Sequence, residues 1–221
     1  MTLIVALDKP QSLGLVDTLC GVASGFKIGV PLLLDVGLEG LRRARSRCSD
    51  ALWVADMKLA DIGHVMALTA RRLAGLVDAV IAHGFVGLES ALDILAEECR
   101  RMGMKLVVIA SMSHPGSRIY DKVLEDVLEV IEAVKPWGVV APATRPNIIR
   151  RVRRRLGCSV AILSPGIGAQ GASPGDAICA GADYEIVGRA ITSSENPLQA
   201  ARNILEQQRR CRRACRKPQQ T

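Results

Sequence analysis

The side chains best suited to do chemistry crowd into one short stretch, Asp56-Met57-Lys58-Leu59-Ala60-Asp61. Two carboxylates flank a lysine directly after the apolar run Ala51-Leu52-Trp53-Val54-Ala55. If that run is a strand, Asp56 and Lys58 stand two apart and project to one face, and Asp61 falls in the loop beyond. Burying such ions costs roughly several kcal/mol each unless they pair well. Nearby carboxylates favour the charged form of a lysine, which suits a proton donor better than a nucleophile. The same three charges would also serve as an ion pair at a strand end, so the surroundings must decide.

The elements around the hexad repeat. Eight short runs rich in β-branched residues alternate with longer amphipathic stretches, at 3–8, 25–30, 51–58, 79–84, 105–112, 138–143, 159–163 and 184–188. Continuous apolar runs are expected of parallel strands covered on both faces. Between them, residues 88–102 and 123–134 read as helices. In the second, Val123, Val127, Val130, Ile131 and Val134 recur at helical spacing. Ser173-Pro174 reads as an N-cap followed by proline, and Arg145-Pro146-Asn147 as another helix start. The pattern predicts an α/β fold, a single-domain (β/α)8 TIM barrel over residues 1–206, with a basic tail over 207–221. A doubly wound sheet is the alternative, but Asp8-Lys9-Pro10 follows the first strand where a dinucleotide fold would carry G-x-G-x-x-G.

In a (β/α)8 barrel the C-terminal ends of the strands form the site. Reading them off gives Asp8, Lys27, Asp56, Lys58, His83, Ser113, Pro165 and Arg189, a set too ionic to be explained as packing. Ser164-Pro165-Gly166-Ile167-Gly168-Ala169-Gln170-Gly171 follows strand seven, and Val187-Gly188-Arg189-Ala190 follows strand eight. Glycines there let backbone N–H groups approach an anion, and the arginine can grip it bidentately. Both loops stand where this architecture commonly binds phosphate.

Composition excludes several classes. A hydrophobic fraction of 49% with 23% charged residues is that of an ordinary globular chain. No apolar run approaches the roughly 20 residues of a membrane span. Leu3-Ile4-Val5-Ala6-Leu7 is too short for a signal-peptide core, so a cytoplasmic protein is expected. The net charge of +7 is concentrated in residues 207–217, which hold six cations and no acid. Without interleaved aromatics this tail reads as a solvated end, and no nucleic-acid partner is expected. The seven cysteines, at 20, 48, 99, 158, 179, 211 and 215, are scattered through apolar segments and are expected to be reduced, buried thiols.

Taken together, Leu7-Asp8, Phe26-Lys27-Ile28-Gly29, the D-x-K-x-x-D-I of strand three, Ser111-Met112-Ser113-His114-Pro115-Gly116, Ala143-Thr144-Arg145-Pro146, Ser164–Gly171 and Val187-Gly188-Arg189-Ala190-Ile191 resemble orotidine 5′-phosphate decarboxylase of the short archaeal type. The resemblance runs from about residue 3 to residue 205. It implies decarboxylation of orotidine 5′-phosphate to uridine 5′-phosphate with no metal and no cofactor. Lys58 would protonate C6, Asp56 would face the substrate carboxylate and hold Lys58, and Lys27 would complete the charged catalytic array and, with Asp8, hold the ribose hydroxyls. Ser113 would read the pyrimidine edge. Pro165, Gly166, Gln170, Gly171, Gly188 and Arg189 would form the phosphate end. It also implies a homodimer in which Asp61 reaches the partner's site, with Ile62 and Val65 among the substrate-binding residues.

Two other readings stand beside it: a magnesium-dependent relative acting on a keto-sugar phosphate, such as a hexulose-phosphate synthase, and a catalytically idle barrel that binds RNA through its tail. One departure is local. After Asp61-Ile62 the family continues Pro-Asn-Thr, whereas this chain has Gly63-His64-Val65. Val65 offers no hydroxyl to the ribose, and the expected loss is confined to substrate binding. A Val65→Thr substitution should therefore change the substrate Michaelis constant; an unchanged constant would refute that reading.

Overall fold

Eight parallel strands close on themselves in the computed structural model, which describes residues 2–211. They are β1 (Leu3–Leu7), β2 (Gly25–Gly29), β3 (Leu52–Leu59), β4 (Ala79–His83), β5 (Lys105–Ile109), β6 (Gly138–Val140), β7 (Ala161–Pro165) and β8 (Tyr184–Val187). Each pairs with the next in sequence, and β8 returns to β1 through Leu3↔Glu185 and Val5↔Val187. The helices are α1 (Leu15–Leu19), α2 (Val30–Ser46), α3 (Gly63–Leu73), α4 (Asp93–Arg101), α5 (Arg118–Lys122), α6 (Leu124–Val134), α7 (Pro146–Leu156), α8 (Asp176–Ala180), α9 (Arg189–Thr192) and α10 (Pro197–Arg209). The expected (β/α)8 barrel is the fold.

All five residues of β1 are buried, as are all five of β2, because one face fills the barrel and the other lies under helices. Gly25 opens β2 where a Cβ would stand 2.2 Å from the Leu52 carbonyl oxygen, so only glycine lets β2 lie against β3. On α6, Leu124, Val127, Leu128, Ile131 and Val134 are buried, so the expected stripe holds at Val127, Ile131 and Val134, whereas Val123 precedes the helix and it and Val130 are half-buried.

The N-terminal end of the barrel is tied by the same device in two places, four strands apart. Asp78, just before β4, accepts from the Trp53 N–H at 2.8 Å and from both Arg45 Nη atoms at 3.0 and 2.8 Å. Asp183, just before β8, accepts from the Ile162 N–H at 2.8 Å and from Arg153 at 2.5 Å. Each carboxylate satisfies the N–H of a strand's second residue and pins an outer helix by a charged hydrogen bond. Arg151 and Arg155 pair with Glu125 and Glu132 on α6, so three cations of the α7 cluster are bonded to acids.

Three expectations need correction. The helix expected over 88–102 is broken at Ser90, whose φ is +58°, and the regular helix starts at Asp93. The Asp93 carboxylate accepts from the N–H groups of Ser90, Ala91 and Ile94, so it competes for donors that a continuous helix would use. Ser173-Pro174 is not a helix cap. The Asp176 carboxylate instead accepts from the Ser173 N–H at 2.9 Å, and α8 begins at Asp176 after Gly175 with φ +96°. The cysteines are not all reduced thiols: Cys20 is bonded to Cys48 and Cys179 to Cys211. Folding brings their Cα atoms to 5.7 and 5.0 Å, which spacing along the chain does not reveal. Cys99 remains a buried thiol, and burial pushes it up to about 12.

The tail is expected from 207, but the barrel's last helix, α10, runs on to Arg209, with Gln208 buried. The remainder of the basic tail, 212–221, lies outside the described residues.

Closing loops of this length by a disulfide stabilises by about 3–4 kcal/mol in the chain-entropy account. A Cys20→Ser/Cys48→Ser protein should therefore melt several degrees below the oxidised wild type in calorimetry. The reductant-induced drop in melting temperature should be smaller in that variant than in the wild type.

Candidate active site

A cavity of about 380 Å³ opens at the C-terminal ends of the strands. Asp56 lies in its wall with one oxygen shared by two ammonium groups. Asp56 Oδ2 is 3.0 Å from Lys27 Nζ and 2.8 Å from Lys58 Nζ. Burial alone would raise the Asp56 carboxyl, but Lys27 and Lys58 together outweigh it and hold it below the usual carboxylate range. The Lys27 and Asp56 side chains are each 11% exposed, whereas Lys58 is 44% exposed and faces the opening.

Backbone register produces this array. Lys27 pairs with Val54 and Gly29 with Asp56, so β2 delivers its lysine beside the β3 carboxylate. Across the other edge of β3, Ala55 pairs with Val80 but Leu59 pairs with Ala82. The extra β3 residues form a bulge in which Lys58 takes φ +46°. Such a backbone is costly for a lysine, and bulges re-aim side chains at the rims of barrels.

Asp8, at the end of β1, lines the same cavity. A Cβ on Gly188 would stand 3.7 Å from Asp8 Oδ2, and one on Gly29 3.8 Å from Asp8 Oδ1, so both glycines flank this carboxylate at ordinary contact distance. On the far side stand Pro165, Gly166, Gln170, Gly188 and Arg189. Gly166 has φ +112°, and a Cβ there would lie 3.1 Å from Thr144 Cγ2. Arg189 is exposed at the rim and makes no ion pair among the described residues.

The segment after β5 brings Ser113 to the cavity, together with Met112 and His114. It is gripped by Arg145, the residue before α7. The Arg145 guanidinium donates to Ser111 Oγ and Ser117 Oγ at 2.6 Å each, and also to the Met112 carbonyl and the Asp121 carboxylate. Sequence reasoning noted Ala143-Thr144-Arg145-Pro146 without assigning it this task. His114 was also missed, although it sits inside the Ser-His-Pro-Gly motif.

His83 belongs to a packed cluster rather than to the cavity lining. Its Nδ1 shares a hydrogen bond of 2.5 Å with the Tyr120 hydroxyl, and its ring lies 4.8 Å from that of Phe85. Burial, then the Lys58 ammonium, hold the imidazole below its ordinary value.

Besides His83, four expected site residues do not line the cavity: Asp61, Ile62, Val65 and Gly171. Gly171 turns the loop tip with φ +99°. Asp61 is exposed and its carboxylate accepts from the Ile62 N–H at 2.7 Å. Gly63, in place of the bulkier residue the resemblance led us to expect, has a reason: a Cβ there would lie 2.6 Å from Ile94 Cβ and 2.8 Å from the Ala91 carbonyl oxygen. Among the exposed apolar side chains are Ile62 at 63%, Leu68 at 53% and Phe85 at 53%.

The geometry can therefore do three things: present an ammonium held by a buried carboxylate, receive polar groups at Asp8 and Ser113, and hold an anion at Arg189. The family model described as orotidine 5′-phosphate decarboxylase / HUMPS family matches residues 1–204. An orotidine 5′-phosphate decarboxylase of Aeropyrum pernix is 51% identical over 213 residues, covering 92% of this chain and 86% of its own. The crystal structure of orotidine 5′-monophosphate decarboxylase from Sulfolobus solfataricus superposes with a TM-score of 0.87 at 37% identity, covering 95% of this chain and 98% of that one. That of the Methanocaldococcus jannaschii enzyme, complexed with inhibitor BMP, gives a TM-score of 0.86 at 30% identity, covering 93% and 97%. By sequence and by fold, this chain belongs to the orotidine 5′-phosphate decarboxylase / HUMPS family.

Proposed function

We infer that this protein decarboxylates orotidine 5′-phosphate to uridine 5′-phosphate in pyrimidine biosynthesis. The observation that carries the reading, beyond family membership, is the Asp56 carboxylate held between Lys27 and Lys58 in the cavity wall. Cleavage of the bond between C6 and its carboxylate leaves the electron pair in the ring plane, where the ring carbonyls delocalise it poorly. A fixed ammonium at that carbon stabilises the developing charge and then supplies the proton. Lys58, the more exposed of the two lysines, takes that role. Asp56 keeps Lys58 oriented and faces the departing carboxylate.

Around this centre, Lys27 and Asp8 hold the ribose hydroxyls, and Ser113 reads the pyrimidine edge. Arg189, Gln170 and Gly188 take the phosphate, with the Pro165–Gly166 root and the Gly171 tip shaping the loop over it. Phosphate contacts far from C6 contribute by positioning the reacting bond. The magnesium-dependent reading is disfavoured by the same array, because two ammonium groups occupy the surroundings of Asp56 that a divalent ion would need.

Asp61, Ile62 and Val65 lie outside their own cavity, beside uncovered apolar side chains. This supports a homodimer in which each subunit sends Asp61 into its partner's site. Exposed apolar surface of this kind commonly marks an interface.

Chelator-treated wild type should convert orotidine 5′-phosphate to uridine 5′-phosphate, whereas Lys58→Ala should lose at least about a thousandfold in kcat, a loss typical of removing a central electrostatic and proton-donating group. Inactive wild type would sink the assignment, and an active Lys58→Ala protein would sink the proton donor. Mixing inactive Lys58→Ala with inactive Asp61→Ala should restore about a quarter of wild-type activity, the fraction expected when subunits reassort at random and sites are shared. No recovery in demonstrably mixed dimers would exclude the shared site.

A further inference from the structure

The loop after β7 has two roots. The first, Pro165, is at the cavity; the second is Gly175, where φ is +96° and α8 begins. Between them the loop bonds to itself. Gly168 N–H donates to the Ala172 carbonyl and Gly171 N–H to the Gly168 carbonyl, each at 2.8 Å, and Ala172 N–H returns to the Gly166 carbonyl at 3.3 Å. A turn closed in this way moves as a unit, so its placement depends on what holds its roots.

Glu185 holds the second root. It lies on β8 and is fully buried, beside Ile186, which lines the cavity. Successive strand residues face opposite sides, so the Glu185 carboxylate points out of the barrel beneath α8. It accepts from Gly175 N–H at 2.9 and 3.0 Å, from Ala177 N–H at 3.1 Å and from Gln208 Nε2 at 2.8 Å. Gln208 Oε1 accepts in turn from the Thr2 hydroxyl. Packing closes the arrangement, because a Cβ on Gly175 would stand 3.1 Å from the Gln207 carbonyl oxygen and 3.7 Å from Cys211 Sγ. The Cys179–Cys211 bond joins α8 to the residues after α10.

A buried carboxylate is an expensive way to fill space, and an apolar residue of similar size would pack that layer at lower cost. What the carboxylate adds is direction, since two of its donors are backbone N–H groups where the loop becomes a helix. We propose that Glu185 is a positioning residue for the β7–α8 loop: it fixes Gly175 so that the turn carrying Gly166 and Gln170 meets the substrate phosphate from a set hinge. The proposal rests on the reading that this loop binds the phosphate.

The test compares affinities for uridine 5′-phosphate and uridine by titration calorimetry, in wild type, Glu185→Gln and Glu185→Ala. The ratio of the two affinities isolates the phosphate's contribution and does not require turnover. Glu185→Ala is expected to reduce the ratio at least tenfold while uridine affinity stays within twofold. Glu185→Gln should fall between, because its amide keeps one acceptor and meets a backbone donor with an N–H. Equal losses for both ligands would mean a structural role alone and would overturn the proposal, as would an unchanged ratio.

Should Glu185→Ala fail to fold, Gln208→Ala removes one donor and leaves the backbone bonds. A fall of about threefold in its ratio supports the proposal, and no change refutes it. A wild type that binds uridine 5′-phosphate far better than uridine yet fails to decarboxylate would defeat the activity while leaving Glu185 to be judged by the ratio. A wild type that binds both equally would defeat the phosphate loop and this proposal with it.

Discussion

One carboxylate shared by two lysines is the interaction around which the barrel mouth is organised. Burial of Asp56 by itself disfavours its ionised form and pushes the carboxyl upward. Lys27 and Lys58 reverse that, and the three groups together carry one net positive charge. Loss of Asp56 would set two ammonium groups beside each other with no counterion, and breaking a buried pair in this way typically costs about 3–5 kcal/mol. Because Lys58 is partly exposed, solvent screening trims its share of that figure. The surplus positive charge is suited to an anionic ligand, whose carboxylate would complete the neutralisation.

Holding the array requires a backbone with no slack. The β2–β3 register puts Lys27 beside Asp56, and the bulge before Leu59 lets Lys58 reach the same oxygen with its backbone at φ +46°. A one-residue slip of either strand would send its charge into the helix layer. The opposite end of the barrel resists such slips. Asp78 and Asp183 accept from the second N–H groups of β3 and β7 while binding arginines from α2 and α7. Glu98 does comparable work between α3 and α4, accepting from Arg71 at 2.8 and 2.9 Å. Acids at the N-terminal end and in the outer layer thus stabilise the frame, and those at the C-terminal end face the cavity, the division of labour general to this fold.

The loops complete the site in different ways. After β5 the chain is gripped through Arg145 and Tyr120, so Ser113 and His114 sit on a segment held at several points. After β7 it is held at its roots and closed on itself through glycines. After β3 it turns outward, with Asp61 capping its own turn and Ile62 exposed. The first two loops converge on one cavity and the third does not, which fits our reading that the third serves a neighbouring subunit.

Much of this was legible in the sequence by itself. Apolar runs separated by amphipathic stretches determine a parallel sheet covered on both sides, and eight of them determine a barrel whose mouth collects Asp8, Lys27, Asp56, Lys58, Ser113 and Arg189. These are periodic signals or ends of periodic signals, and periodicity survives in one dimension. Asp56 and Lys58 do meet as their spacing suggested, but through a bulge at Lys58 and not through regular strand alternation. Tertiary structure decided what depends on distances between segments remote in sequence. Arg145 reaches back to Ser111, Cys20 meets Cys48, Glu185 finds Gly175 and Gln208, and Gly63 lies against Ile94. Even the helix starts at Asp93 and Asp176 were set by side chains taking N–H groups from residues before them. Local pattern says which face of an element is apolar; only the closed barrel says which side chains, brought from elsewhere in the chain, will complete one another's hydrogen bonds.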